Sequence, residues 1–367
     1  MKVAYFIGSL NRGGTETLLL DICRNKAYAP YEMVLIYRNE GELSDCFKST
    51  GIPMFRIKPH GLKMGYFRKL RNLLKREKVN VVHTQTMTNA VAAIMFTLLS
   101  GVKVVASFHG FCKSAVLPRH FIMLHADALV FVSRFLYDWY RNNTLWCPKQ
   151  RCNVVYNGIS FEKFEKQYEV PDFVETIRDE KPGTVILVMV GNFMNGRSHM
   201  VICKSLCLLK NRGVRGFDFC FVGKRIENEA NVYDACVNFC VENGLQDCVH
   251  FVGSRGDVPA ILQHVDGFVY STVRDTFGIA VIEAVSSGLP TLVNDWSVMK
   301  EVTCDGRFAS YFKSNNIEDC CNQMQLLIEN IEQRKKEAFY KAENIKKLYS
   351  IEKHIDSLAV VYNSICE

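Results

Sequence analysis

At 367 residues the chain exceeds what one hydrophobic core normally organises, and two domains of roughly 150 to 200 residues each are expected. A composition that is 48% hydrophobic, 11% aromatic and 23% charged fills two cores and excludes disorder on a large scale. The formal charge of +7 is modest but uneven, because from Arg56 to Lys78 nine Lys or Arg residues stand against one acid, Glu77. Such a stretch faces nucleic acid, anionic lipid or water.

The apolar run after Lys2 meets Gly8 within one strand length and has neither the h-region nor the cleavage site of a secretory leader. The longest apolar run, residues 90–99, is too short to span a bilayer, so a cytoplasmic protein, soluble or peripheral, is expected. Of the fifteen cysteines, Cys23, Cys220 and Cys248 sit singly in apolar runs, and no CxxC occurs. Buried free thiols in a reducing compartment fit this usage better than a zinc site or a disulfide framework.

Residues 2–7 predict a short buried strand, and Leu18, Leu19, Leu20 and Ile22 place a helix after it. Strands are expected at 31–37, 79–83, 102–108, 128–132 and 152–156, with helices at 66–77, 88–99, 117–125 and 134–140 between them. Apolar strands alternating with helices indicate a parallel sheet covered on both faces. Residues 161–184 are charged, hold Pro171 and Pro182, and mark the domain boundary. The alternation restarts with strands at 185–190, 217–222, 249–252, 267–270 and 291–293. The domains are therefore placed at 1–165 and 185–345, with a linker at 166–184. Beyond Tyr311 the pattern is helical, and residues 346–367 form a last helix that crosses back to the first domain.

Two loops carry chemistry. Residues 8–15 read GSLNRGGT between a strand and a helix, where Gly13 and Gly14 let backbone approach a ligand at a helix start. The spacing is not GxGxxG, so a tight structural turn fits equally well. Residues 275–283 read DTFGIAVIE, a loop followed by a helix containing Glu283 among apolar neighbours. Such a carboxylate is either hydrogen-bonded in a crevice or on an ordinary solvated face. Ribose hydroxyls suit it as donors, and the amides of Gly278 to Ala280 suit a diphosphate. Arg197, in NFMNGRSH at 192–199, is the natural cation for those phosphates, with Lys204 the weaker candidate and a surface arginine the plain alternative.

An ordered set of segments carries a family resemblance: GSLNRGGTETLL, VVASFHG at 104–110, VVYNGIS at 154–160, MVGNFMNGRSH at 189–199, FVGSRGDVPAILQHVDGFVYST at 251–272 and DTFGIAVIEAVSSGLPTLV at 275–293. Together they resemble the retaining GT-B glycosyltransferases of the family 4 type, which include capsule and lipopolysaccharide transferases. The resemblance implies an α/β fold of two Rossmann-like, doubly wound domains facing across a cleft. It also implies transfer of a hexose-type sugar from a UDP- or GDP-sugar to a saccharide or lipid-linked acceptor, with no cofactor and no metal.

By the same resemblance Gly13 and Gly14 lie beside the donor, and His109 reaches the transferred sugar or its departing phosphate. Arg197 holds the pyrophosphate, Phe277, Gly278, Ile279 and Ala280 line the sugar and phosphates, and Glu283 grips the ribose. Asn157 and Gly158 shape the loop towards the cleft. Three positions depart from the family pattern: Asp275 replaces a glutamate near the reacting centre, Asn192 replaces an arginine at the diphosphate, and Arg197 replaces a lysine. The basic stretch, with Leu70, Leu73 and Leu74 interleaved, reads either as a helix resting on anionic membrane or as a solvated helix whose leucines pack inward. It lacks the aromatic platform expected for nucleic acid. An epimerase or hydrolase of the same fold and a catalytically weakened donor-binding partner subunit are the competing readings.

Overall fold

The computed structural model describes residues 1–57, 64–97, 100–112, 116–145 and 147–367. The chain divides into two compact units, residues 1–160 with 349–367, and residues 161–348. In the first unit β1 (Lys2–Ser9), α1 (Gly14–Arg24), β2 (Glu32–Asn39), α2 (Ser44–Lys48), β3 (Met54–Arg56), α3 (Met64–Arg76) and β4 (Val81–Thr84) follow one another. Then come α4 (Met87–Thr97), β5 (Lys103–Phe108), α5 (Val116–His125), β6 (Ala128–Phe131), α6 (Arg134–Asn143) and β7 (Cys152–Val154).

The second unit contains α7 (Glu162–Glu165), α8 (Asp172–Glu180), β8 (Val185–Val190), α9 (His199–Asn211), β9 (Phe217–Val222), α10 (Ala230–Glu242) and β10 (Val249–Gly253). It continues through α11 (Val258–His264), β11 (Gly267–Tyr270), α12 (Ile279–Ser286), β12 (Thr291–Asn294), α13 (Ser297–Val302) and β13 (Ser310–Phe312). It closes with α14 (Ile317–Glu329) and α15 (Ile331–Tyr349). The last helix, α16 (Ile351–Cys366), packs in the first unit, where Ile351, Ile355, Leu358 and Tyr362 join the core.

Both sheets are parallel throughout. Their strand orders, β3-β2-β1-β4-β5-β6-β7 and β10-β9-β8-β11-β12-β13, are doubly wound. The strands read as unbroken apolar runs because helices cover both faces; Val3 through Ile7 are fully buried, as are Ile186 through Met189. In each sheet the winding direction reverses between two neighbours, β1 and β4 in one, β8 and β11 in the other. A crevice for ligands opens outside the carboxyl ends of strands at such a point.

The observed elements differ from the sequence expectation in a few places. Strands β3 and β13 span three residues each, too few to display a period of two. The expected linker at 166–184 contains α8, whose charged sequence is anchored by only Val174 and Ile177. In α3 the residues Leu70, Leu73 and Leu74 are buried while Arg68, Lys69, Arg71, Lys75 and Arg76 are exposed, so the leucines pack inward and the cations face outward. Lys58 and Lys63 lie outside the described residues. Among the described residues no helix is long and apolar enough to cross a membrane.

Candidate functional site

In the second unit the loops leaving β8 and β11, the two strands at the winding reversal, are laced together. Ser198 N–H donates to the Ser271 carbonyl at 3.0 Å, and Val273 N–H donates to the Gly196 carbonyl at 2.8 Å. Arg197 and Thr272 form an antiparallel bridge. The fully buried Asn294 fixes Thr272 from below, accepting from its N–H at 2.9 Å and donating to its carbonyl at 2.7 Å. Both loops are thus held by backbone hydrogen bonds, so their side chains start from fixed positions.

Arg197 and Asp275, assigned separate roles from sequence, meet here. The Arg197 Nε lies 3.6 Å from Asp275 Oδ1, and the guanidinium sits 5.9 Å from the centre of the Tyr270 ring. Tyr270, itself fully buried, donates its hydroxyl to the other carboxylate oxygen of Asp275. The Asp275 side chain is therefore engaged in holding Arg197 and Tyr270. The guanidinium lies against Gly191, where an added Cβ would stand 2.6 Å from Nη1. Asn192 is exposed and its Oδ1 accepts from Lys224 N–H at 3.0 Å, so this side chain clamps the loop after β9.

The start of α12 is the second part of the arrangement. Gly278 caps the helix in the left-handed region, φ +87° and ψ 54°, a conformation that costs an L side chain about 1–2 kcal/mol. Phe277, Val281, Ile282, Ala284 and Val285 are buried. Ile279, Ala280 and Glu283 share the partly open face, and the unpaired first-turn amides lie at the start of the same short helix. Glu283 is 14% exposed and its Oε1 accepts from Lys163 Nζ of α7 at 3.0 Å. A helix start beside an arginine favours a phosphate-like anion, and a fixed carboxylate suits a diol.

The first unit carries its own set at the carboxyl ends of β1, β4 and β5. Gly13 is extended before α1, and a Cβ there would stand 2.5 Å from the carboxylate of Glu16. Burial raises the Glu16 carboxyl above its ordinary range. Gly14, by contrast, has open space around it. His109 shares a hydrogen bond of 2.7 Å between Nε2 and Gln85 Oε1, and burial pushes it down to about 4. Its imidazole is neutral near pH 7 and acts as a hydrogen-bonding group rather than as a cation.

Behind His109 a cavity of about 10 Å³ is lined by His83, Gln85, Ser107, Asn157 and His354, enough for about one water molecule. Asn157 Oδ1 is buried there without a protein partner. Gly158 is required for packing, since a Cβ would come within 2.6 Å of His354 Cβ and 2.8 Å of the Ile351 Cα. The glycine of VVYNGIS thus seats the start of α16.

Sequence reading did not find Lys163, Tyr270, Gln85 or Glu16. Tyr270 read as the end of a core strand and Lys163 as one charge in a boundary segment. Glu16 was the one with a local signal, an acid in the first turn of a helix that opens with glycine.

Residues 12–163 match the family described as Glycosyltransferase Family 4, and residues 184–330 match Glycosyl transferases group 1. The UDP-Gal:alpha-D-GlcNAc-diphosphoundecaprenol alpha-1,3-galactosyltransferase of Escherichia coli is 25% identical over 237 residues, 62% of this chain and 60% of that protein. The chain therefore spans about three-fifths of that relative's length. The Escherichia coli O-antigen biosynthesis glycosyltransferase WclY is 20% identical over 327 residues, 82% of each chain. The crystal structure of Anabaena HepE in complex with UDP and glucose superposes with a TM-score of 0.85 at 14% identity, covering 99% of this chain and 100% of that one.

Proposed function

Because the chain belongs to the GT-B glycosyltransferases of the family 4 group, we propose that it moves a hexose-type sugar from a UDP- or GDP-sugar to a saccharide or lipid-linked saccharide in surface polysaccharide assembly. The observation that carries this reading is the open face at the start of α12. There the first-turn amides and Glu283 are presented together, beside loops that fix Arg197. In the proposed complex the diphosphate takes the amides and Arg197, and the ribose hydroxyls take Glu283. Phe277, Gly278, Ile279 and Ala280 line the phosphates and sugar.

Within the first unit, Gly13, Gly14 and the neutral His109 are assigned to contact with a sugar. His109 bonds to a hydroxyl or to the leaving phosphate. Transition-state stabilisation then consists chiefly of fixed dipoles and one cation directed at the departing diphosphate, and retention of configuration is expected. Asn192 contributes no charge, so Arg197 bears more of that load. The exposed cations of α3 give the protein a surface for anionic membrane, where lipid-linked acceptors reside. The relative whose name specifies a diphosphoundecaprenol-linked acceptor supports that choice of acceptor class.

The engagement of Arg197 by Asp275 favours one second reading, a partner subunit that binds donor without turnover. Incubating purified protein with UDP-, GDP- and ADP-sugars, with and without membrane extract, decides between them. Nucleotide release stimulated by extract is the expected result. Tight binding with no release from any donor would select the partner subunit.

A further inference from the structure

The residue opposite Glu283 has a surrounding built to place it. Lys163 lies on α7, a single helical turn, and the chain that follows it is fastened to α11 by side chains. Gln263 accepts from Tyr168 N–H at 3.2 Å and donates to the carbonyls of Phe164, at 3.3 Å, and Lys166. His264 Nε2 bonds the Tyr168 carbonyl at 3.0 Å, and Tyr168 returns its hydroxyl to the Lys163 carbonyl at 2.6 Å. The Lys163 ammonium then meets Glu283 Oε1 at 3.0 Å, across 120 positions of sequence, with side-chain exposures of 33% and 14%.

We propose that Lys163 is a positioning residue for the nucleoside ribose of the donor. It holds one oxygen of Glu283 so that the second is directed at a ribose hydroxyl. Its charge also offsets the carboxylate, which would otherwise repel the diphosphate bound at the start of the same helix. Opposite charges at this separation attract appreciably when partly withdrawn from water. A carboxylate fixed by a charge-assisted bond surrenders less freedom on accepting a second donor. The assignment rests on the proposed role of Glu283.

The test is nucleotide binding by calorimetry on the full chain. UDP, GDP and ADP are titrated first, and the 2′- and 3′-deoxy forms of the tightest are then compared in wild type, Lys163→Met, Lys163→Arg and Glu283→Gln. In wild type, loss of the engaged hydroxyl is expected to weaken binding about tenfold. Lys163→Met is expected to weaken the ribonucleotide about tenfold while shrinking the deoxy penalty to less than threefold, with Lys163→Arg restoring most of both. KM for donor should rise in Lys163→Met with kcat changed much less. A Lys163→Met protein that keeps the full deoxy penalty overturns the Lys163 assignment alone, provided Glu283→Gln abolishes it. No binding of any nucleotide by wild type, or a penalty untouched in Glu283→Gln, overturns the Glu283 reading and this inference with it.

Discussion

Gly14→Ala separates the two explanations for a glycine at a helix start, because they predict opposite signs. Gly14 is the first residue of α1, is exposed, and does not adopt a positive φ; a Cβ built on it meets no atom within 4 Å. Alanine removes backbone freedom from the unfolded chain and favours helix, so the free protein should gain roughly 0.5–1 kcal/mol. In a unit of this size that corresponds to a rise in its melting temperature of about 1–4 °C. If a donor phosphate or sugar approaches the bare backbone, the same methyl group occupies that approach. kcat/KM for donor should then fall at least tenfold, about 1.4 kcal/mol of lost transition-state binding. Calorimetric melting of the ligand-free protein and a continuous nucleotide-release assay measure the two quantities on one preparation. A variant that is stabilised and fully active would show that no ligand passes Gly14. A variant that is destabilised would show that the open space seen around it is not what the fold requires.

Tyr270→Phe deletes the hydroxyl that Asp275 accepts and leaves Arg197 as that carboxylate's remaining charged contact. A loss of about 1.5–3 kcal/mol in urea denaturation is expected, together with lower kcat, and unchanged values of both would refute the positioning of Arg197 through Asp275. Acid should weaken the first unit. Burial pushes His354 and His109 down to about 4, and His83 is also well below its usual range. In the unfolded chain these groups bind protons near 6.5, so their contribution is complete above that pH and is lost as pH falls from 6.5 towards 4. The fully withdrawn His354 alone accounts for about 3 kcal/mol over that range. Urea midpoints at pH 7.5, 6 and 5 should fall steadily for the first unit, and a flat response would contradict the buried neutral imidazoles.

The doubly wound sheets were legible because burial on both faces imposes the unbroken apolar runs seen at residues 3–7 and 186–189. Glu283 was legible for the complementary reason, a charge set among apolar helix neighbours. Lys163 was not, because its contact joins positions 120 apart and nothing in a charged segment marks which lysine will be held. Asp275 was visible as a shortened glutamate, but its attachment to Tyr270 and Arg197 depends on the loops after β8 and β11 meeting at the end of β11. Gly158 illustrates the reverse case, a motif glycine whose role in seating α16 appears only when the last helix of the chain is in place.

The most direct test follows the sugar itself. Labelled sugar is supplied as the nucleotide donor that the protein releases fastest, membrane extract provides acceptor, and products are separated for wild type and Glu283→Ala. A labelled glycoside in the lipid or saccharide fraction, formed by wild type and at least a hundredfold slower in the variant, is predicted. Label recovered only as free or epimerised sugar, or a glycoside formed equally by both proteins, would contradict the account.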